Sequence, residues 1–395
     1  MSSSLEMERS SRFPVDHLLI ASVILLIGLG LVYLYSASWV PSERISRISG
    51  REYSFIYLQV LYALIALPVF LFATWINLDF FRRRGVILVM LVLTAVFCML
   101  PLVERFGGNK NGASRWINLS LRLSDSANIS FQPSELVKVV LPLYLAHYFD
   151  WKKDLIDHFS RGILPPVLVT MIFFGLIILQ NNFSTAMFIV VNALFIFFLA
   201  GVRIRFFIGA LVIVLPLGAL MILIAPHRVS RIANWSQWIL ERRWDTLAGG
   251  YQPRNSLAAI RAGGFWGRGI GQGTGKLTSI PEVQSDFIFS AYAEETGFLG
   301  VLILFALFAF FALRSYRAAM GQEETYRRLL AFGLASLILS QALINVAVAV
   351  AALPTTGIPL PFFSSGGSSL MITLIMAGLL INLSRTASVS KKGEL

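Results

Sequence analysis

The feature that most constrains this chain is a recurrence of apolar, nearly charge-free runs, each long enough to cross about 30 Å of hydrocarbon at roughly 1.5 Å per helical residue. Ten such runs are read, at about residues 17–37, 54–76, 86–103, 131–149, 163–180, 184–200, 206–225, 287–313, 329–353 and 368–383. Lipid offers backbone groups no hydrogen-bonding partner, so runs of this length must be helices. The composition agrees: 56% of the 395 residues are hydrophobic and 14% charged, whereas soluble domains run near 45–50% and 25%. The expected fold is an all-α polytopic membrane protein of ten transmembrane helices. A single domain, 17–383, would lie between tails at 1–16 and 384–395. The first run is too long for a signal-peptide core and is followed by nine more, so it is read as a retained helix.

Charge sets the orientation. Arg9 and Arg12, Arg82 to Arg84, Lys152, Lys153 and Arg161, Arg203 and Arg205, Arg314, Arg317, Arg327 and Arg328, then Arg385, Lys391 and Lys392 all fall on one side. Basic residues concentrate in cytoplasmic segments, so both termini are predicted to be cytoplasmic, leaving a large fourth extracellular loop at 226–285. That loop is itself basic, with Arg228, Arg231, Arg242, Arg243, Arg254, Arg261, Arg268 and Lys276 against Glu241, Asp245 and Glu282. Two readings stand: translocated loops tolerate charge, or the loop meets an anionic headgroup or a phosphorylated lipid. Trp235, Trp238 and Trp244 suit an interfacial helix. Nucleic acid is excluded as a partner, despite a net charge of +12, because the cations are split across a membrane. A lone cysteine, Cys98, precludes an internal disulfide, and no Walker, HExxH or GxGxxG pattern occurs.

Ionisable residues at membrane depth are functional candidates by default. Glu135 and Lys138, in FQPSELVKVV (131–140), are three apart and share a helix face. They form either a structural ion pair or one wall of a polar cavity. Asp286, in IPEVQSDFIFSAYAEETGFLG (280–300), opens an apolar helix, so it or Ser285 could be a simple N-cap or, for Asp286, a general base. Glu294 and Glu295 lie deeper, and one of them is expected near Lys138. The Pro- and Gly-rich LPTTGIPLPFFSSGGSSL (353–370) reads as an irregular segment lining something polar. In GASRWINL (112–119), Arg115 and Trp116 are interfacial anchors or ligand binders.

Taken with YSAS (35–38), GGYQ (249–252), GGFWGRG (263–269) and the pair Gln341 and Asn345, these ordered strings resemble the SEDS family (shape, elongation, division and sporulation) over nearly the whole chain. The resemblance implies a peptidoglycan glycosyltransferase of the bacterial cytoplasmic (inner) membrane. It would polymerise lipid II, a disaccharide-peptide on undecaprenyl pyrophosphate, beside a class B penicillin-binding protein, a single-span transpeptidase, and other divisome or elongasome membrane proteins. It also implies Asp286 as the essential acid, Trp116 as the extracellular tryptophan, and Glu135 with Lys138 as the intramembrane pair. Departures are Gln284 and Ser285 in place of His and Thr, Asn181, Asn182 and Ser184 in place of Pro, Asp and Gly, and Ser365 in place of Tyr. YSAS, GGFWGRG and the Leu-Pro-Thr at Leu353 favour the division branch, TGIPLP (356–361) the elongation branch.

On that reading Asp286 deprotonates the acceptor hydroxyl. Arg254, Arg261 and Arg268, near the glycine turns, meet the leaving pyrophosphate, aided by a divalent cation such as Mg or Mn, with Arg115 and Trp116 as candidate substrate binders. The rival readings are a lipid II flippase or transporter and a non-catalytic scaffold that activates its penicillin-binding protein.

Overall fold

The computed structural model describes residues 16–49, 55–103, 107–110, 113–124, 127–241, 251–274 and 283–387. Expectations about Arg242, Arg243, Trp244, Asp245, Gly249, Gly250, Lys276, Glu282 and most of the two tails lie outside them.

Twelve α-helices follow one another: α1 (His17–Ser49), α2 (Phe55–Trp75), α3 (Arg84–Met99), α4 (Ser134–Trp151), α5 (Leu164–Leu179), α6 (Phe183–Leu199), α7 (Ile204–Leu223), α8 (Pro226–Glu241), α9 (Tyr251–Gly263), α10 (Ile288–Met320), α11 (Thr325–Ala349) and α12 (Gly367–Ala387). Among the described residues seven helices are long and apolar enough to cross a membrane, and α6 is a shorter apolar helix. The exception to helix is a three-stranded antiparallel sheet between α3 and α4: β1 (Gly107–Lys110), β2 (Ala113–Ser124) and β3 (Ala127–Phe131), in that order. Hydropathy could not reveal it, because its strands are polar and lie outside the apolar runs.

The helices divide by what covers them. α4 is buried on almost every side, from Ser134 to Phe149, among α3, α5, α6, α11 and α12. The apolar stretch of α12 is 72% buried and that of α2 only 17%. A helix apolar all round needs protein or lipid on every face, so the bare faces of α2, α3 and α7, with Leu64, Phe72, Leu88 and Val212 well exposed, are lipid-facing. The protein is a multi-pass membrane protein.

The two ends of the bundle differ. One is held by ion pairs: Arg314 with Asp16 at 2.6 Å, Arg82 with Asp150 and Glu324 at 3.0 Å each, Arg327 with Asp79 at 3.2 Å. Asp16 also caps α1, accepting from the N–H groups of Leu18 and Leu19. The opposite end carries the sheet, α8, α9 and the irregular segment before α12.

At that sheet end α10 is broken at Gly297, whose φ of 65° and ψ of −166° suit only glycine. The break unpairs the N–H groups of Phe298 and Leu299 from the carbonyls of Glu294 and Glu295. The turn after α9 repairs this. Phe298 N donates to Gly264 O at 2.9 Å and Leu299 N to Phe265 O at 3.2 Å, while Arg268 N donates to Glu294 O at 3.1 Å and Gly269 N to Glu295 O at 3.0 Å. GGFWGRG is thus a strap threaded through a helix break. Its Gly267, at φ +80°, has no room for a side chain, since a Cβ would stand 2.3 Å from Glu295 O.

Candidate active site

Asp286 sits at the sheet end in the turn that leads into α10. The N-cap position of α10 is Phe287, with no side-chain cap, so the capping expected of Ser285 or Asp286 is not what sets this acid's place. Its backbone is clamped instead. Asn345 Nδ2 on α11 donates to Asp286 O at 3.0 Å and to Ile358 O at 2.8 Å. One turn earlier on α11, Gln341 Nε2 donates to Pro359 O at 2.9 Å. Gly357, at φ +72°, lies under the carboxylate, and a Cβ there would be 3.4 Å from Asp286 Oδ2. The segment 353–366 is therefore the irregular, polar-lining stretch that its prolines and glycines predict. Ser364 is its hub: its Oγ donates to Ser285 O at 2.5 Å and accepts from Leu360 N at 2.7 Å.

One guanidinium, Arg115, stands beside Asp286, and two more, Arg231 and Arg228, stand beside Arg115. Arg115, on β2, is half-buried and couples electrostatically to Asp286, Arg231 and Arg228. Burial, then Arg231 and Arg228, lower its pKa below the ordinary arginine value, and Asp286 offsets part of that. Arg115 Nη2 donates to Asn181 O at 2.5 Å, while its buried Nε has no hydrogen-bond acceptor among the described residues. Arg231 donates to Thr355 O at 3.3 Å; Arg228 donates to Met221 O at 2.9 Å and lies 4.9 Å from the centre of the Phe183 ring. Trp235 Nε1 donates to Ala351 O at 3.2 Å, so α8 is pinned across the segment that carries Gly357. Trp116 is half-buried beside Arg115, paired across the sheet with Gly108.

Beneath lies the intramembrane pair. Lys138 Nζ donates to Glu135 Oε1 at 2.7 Å, to Oε2 at 2.8 Å and to Gln341 Oε1 at 3.0 Å. An ammonium has three protons, and all three are placed. The lysine also fixes the Gln341 amide, oxygen toward Lys138 and nitrogen toward Pro359. Through α11 the buried pair is thereby joined to the segment below Asp286.

One expectation is overturned. Neither Glu294 nor Glu295 partners Lys138. Glu294 Oε1 accepts from Thr274 N at 2.9 Å and Thr274 Oγ1 at 3.0 Å, with Arg268 Nη1 at 3.5 Å, and Glu295 Oε1 accepts from Ser36 Oγ. The strap brings its own cation to the acid, and spacing along α10 could not anticipate that. Of the arginines expected at the pyrophosphate, Arg268 turns to Glu294, and Arg254 and Arg261 are exposed on α9 in no ion pair among the described residues. Arg228 and Arg231 of α8, in the same basic loop, lie beside Arg115 instead.

Ten or more helical segments, lipid-facing walls and a polar site at one end define a class of multi-pass membrane protein. Within it, residues 16–389 match the model of the FtsW/RodA/SpoVE family, described as cell cycle protein, and the chain belongs to that family. It is 35% identical to the probable peptidoglycan glycosyltransferase FtsW of Trichlorobacter lovleyi over 93% of each chain. It is 34% identical to stage V sporulation protein E of Bacillus subtilis over 94% of this chain and 97% of that one. Among solved structures it resembles a chain of a peptidoglycan synthase complex that coordinates polymerization and crosslinking, with a TM-score of 0.75 and 25% identity over 95% and 99% of the two chains. The rod shape-determining protein RodA of Thermus thermophilus shares the fold, with a TM-score of 0.66, over 94% and 97%.

Proposed function

We propose that this protein is a peptidoglycan glycosyltransferase of the division type, polymerising lipid II at the outer face of the bacterial cytoplasmic membrane. The observation that carries it is one carboxylate, Asp286, beside Arg115 at the sheet end of the bundle, with Arg231 and Arg228 clustered on Arg115. The names of its relatives support the same activity. The ion-paired end, which bears Arg82 to Arg84, Arg203, Arg314 and Arg327, is the cytoplasmic side on the positive-inside rule. The sheet end is then extracellular, and α1 to α7 with α10 to α12 are ten spans with both termini inside.

The acceptor sugar's hydroxyl gives its proton to the Asp286 carboxylate as its oxygen bonds to the donor's anomeric carbon. The bond from that carbon to the pyrophosphate oxygen breaks, and its electron pair leaves with undecaprenyl pyrophosphate. Positive charge builds on the sugar and negative charge on the leaving group. Arg115, Arg228 and Arg231 meet the latter, in place of Arg254, Arg261 and Arg268. Trp116 offers a flat face to the sugar. Glu135 and Lys138 act at one remove, through Gln341, on the segment beneath Asp286.

Divalent Mg or Mn takes oxygen ligands and is commonly held by one or two carboxylates together with substrate phosphates; Asp286 is the carboxylate that would hold such an ion beside the donor's pyrophosphate, where it would supply positive charge to the leaving group. By analogy with the synthase complex, the partner is a penicillin-binding protein of class B.

The test is glycan synthesis by the purified protein from lipid II, with Asp286→Asn as the inactive control. A flippase or transporter needs no base and makes no polymer, and a scaffold makes polymer only through its partner. Absence of polymer from wild type, with and without the partner, overturns the reading.

A further inference from the structure

At the ion-paired end, where α2 hands over to α3, an open cavity of about 540 Å³ is lined by Phe72, Ile76, Asn77, Asp79, Phe80 and Arg83. It lies at the opposite end of the bundle from Asp286 and has no part in glycosyl transfer. Its wall is apolar and faces lipid, with Phe72 64% and Phe80 46% exposed. Its rim is polar and unevenly satisfied. Asp79 is already met by Arg327 at 3.2 Å and Arg82 at 3.7 Å. Asn77 Oδ1 is taken by Asp79 N at 2.9 Å, and its side-chain nitrogen has no acceptor among the described residues.

Arg83 is the cation that lines it. Arg82, Arg203, Arg314 and Arg327 at this end each hold a carboxylate, whereas Arg83, like Arg84 and Arg205, joins no ion pair among the described residues; it is exposed and lies over the Phe80 ring, 5.8 Å from its guanidinium carbon. Of these three, only Arg83 lines the cavity, where it shares the rim with Asn77 while the other wall is aromatic and aliphatic.

We infer that this cavity binds an anionic phospholipid of the adjacent leaflet, its phosphate on Arg83 and Asn77 and an acyl chain along Phe72 and Ile76. Lipid is favoured over a free anion because half the lining is apolar and open to the bilayer. An anionic headgroup, of the phosphatidylglycerol type, is favoured over choline or ethanolamine because a headgroup cation would meet Arg82, Arg83 and Arg84 together.

The test is native mass spectrometry of the full-length protein released from mixed bilayers of phosphatidylglycerol and phosphatidylcholine with identical acyl chains. Wild type should retain phosphatidylglycerol at least about 10-fold over phosphatidylcholine, because both lipids carry the phosphate and only the choline cation is repelled by the arginines. Arg83→Gln should lose most of that preference and Asn77→Leu part of it. Arg205→Gln removes another exposed cytoplasmic-side arginine, one that lies over Phe206, and should change nothing. Equal losses from Arg83→Gln and Arg205→Gln would reduce the effect to diffuse surface charge and overturn the site. Displacement of the bound lipid by millimolar inorganic phosphate, or no preference in wild type, would overturn it as well.

Discussion

Two charged clusters lie on either side of the same segment, 353–366, and they are built on opposite principles. Below it, Glu135 and Lys138 are 5% and 3% exposed and balance each other, and the remaining ammonium proton goes to Gln341. Above it, Asp286 is half-exposed beside Arg115, which has Arg231 and Arg228 close to it. A balanced, dry pair has little left to offer a ligand, and breaking it is felt as instability. A cluster of arginines is eased by an anion. On the proposed function, the balanced pair holds the fold and the arginine cluster meets the substrate.

The largest expected effect separates the two clusters outright. Asp286→Asn should cut lipid II turnover by about 10²–10⁴-fold, the range for losing a general base, with the thermal unfolding midpoint unchanged. Near-normal polymer from that variant removes the acid from the chemistry.

Next comes the buried pair. Lys138→Met alone strands the Glu135 carboxylate and should cost about 3–5 kcal/mol of stability, while Glu135→Leu with Lys138→Met together should recover most of it. Denaturant unfolding in detergent reads the difference. Single and double variants that are equally stable yet equally inactive would move the pair from the fold into catalysis.

A smaller effect tests which arginines count. Arg115→Gln, Arg228→Gln and Arg231→Gln should each slow turnover about 10-fold or more, with lysine at the same positions recovering part of it, since a lysine keeps the charge but not the fork. Arg254→Gln and Arg261→Gln should leave turnover near wild type. Kinetics on purified variants decide it, and the reverse ranking would return the pyrophosphate to α9.

Smallest is Arg268→Gln. Glu294 keeps both hydrogen bonds from Thr274 and the strap keeps its four backbone bonds, so the loss should be about 1 kcal/mol of unfolding free energy, with no change in turnover. A large fall in turnover would make the strap part of the site.

Much of this comparison was legible before any coordinates. The spacing of three between Glu135 and Lys138 brings the two groups onto one face of α4, and they do pair. The prolines and glycines of 353–370 predict broken helix, and the segment is irregular. Where the reading fell short, the missing partner was far away in sequence: Glu294 is answered from residues 268 and 274, Asp286 from 115 and 345. Position along α10 carried no information about either.

The sequence by itself determined that the chain is a helical membrane protein, which helices carry charge, that Asp286 stands at the head of α10, and that its motifs are those of the FtsW/RodA/SpoVE family. Each of these rests on local quantities, because hydropathy, helical periodicity and motif order are properties of neighbouring residues. Only the tertiary structure decided that a strap completes the break at Gly297, that Arg115 of β2 stands beside Asp286 with Arg228 and Arg231 of α8 near Arg115, and that Gln341 ties Lys138 to the segment below the acid. Those contacts join helices tens to hundreds of residues apart. They are set by close packing of whole faces and by the need to satisfy every buried polar group at once, and no stretch of sequence contains either condition.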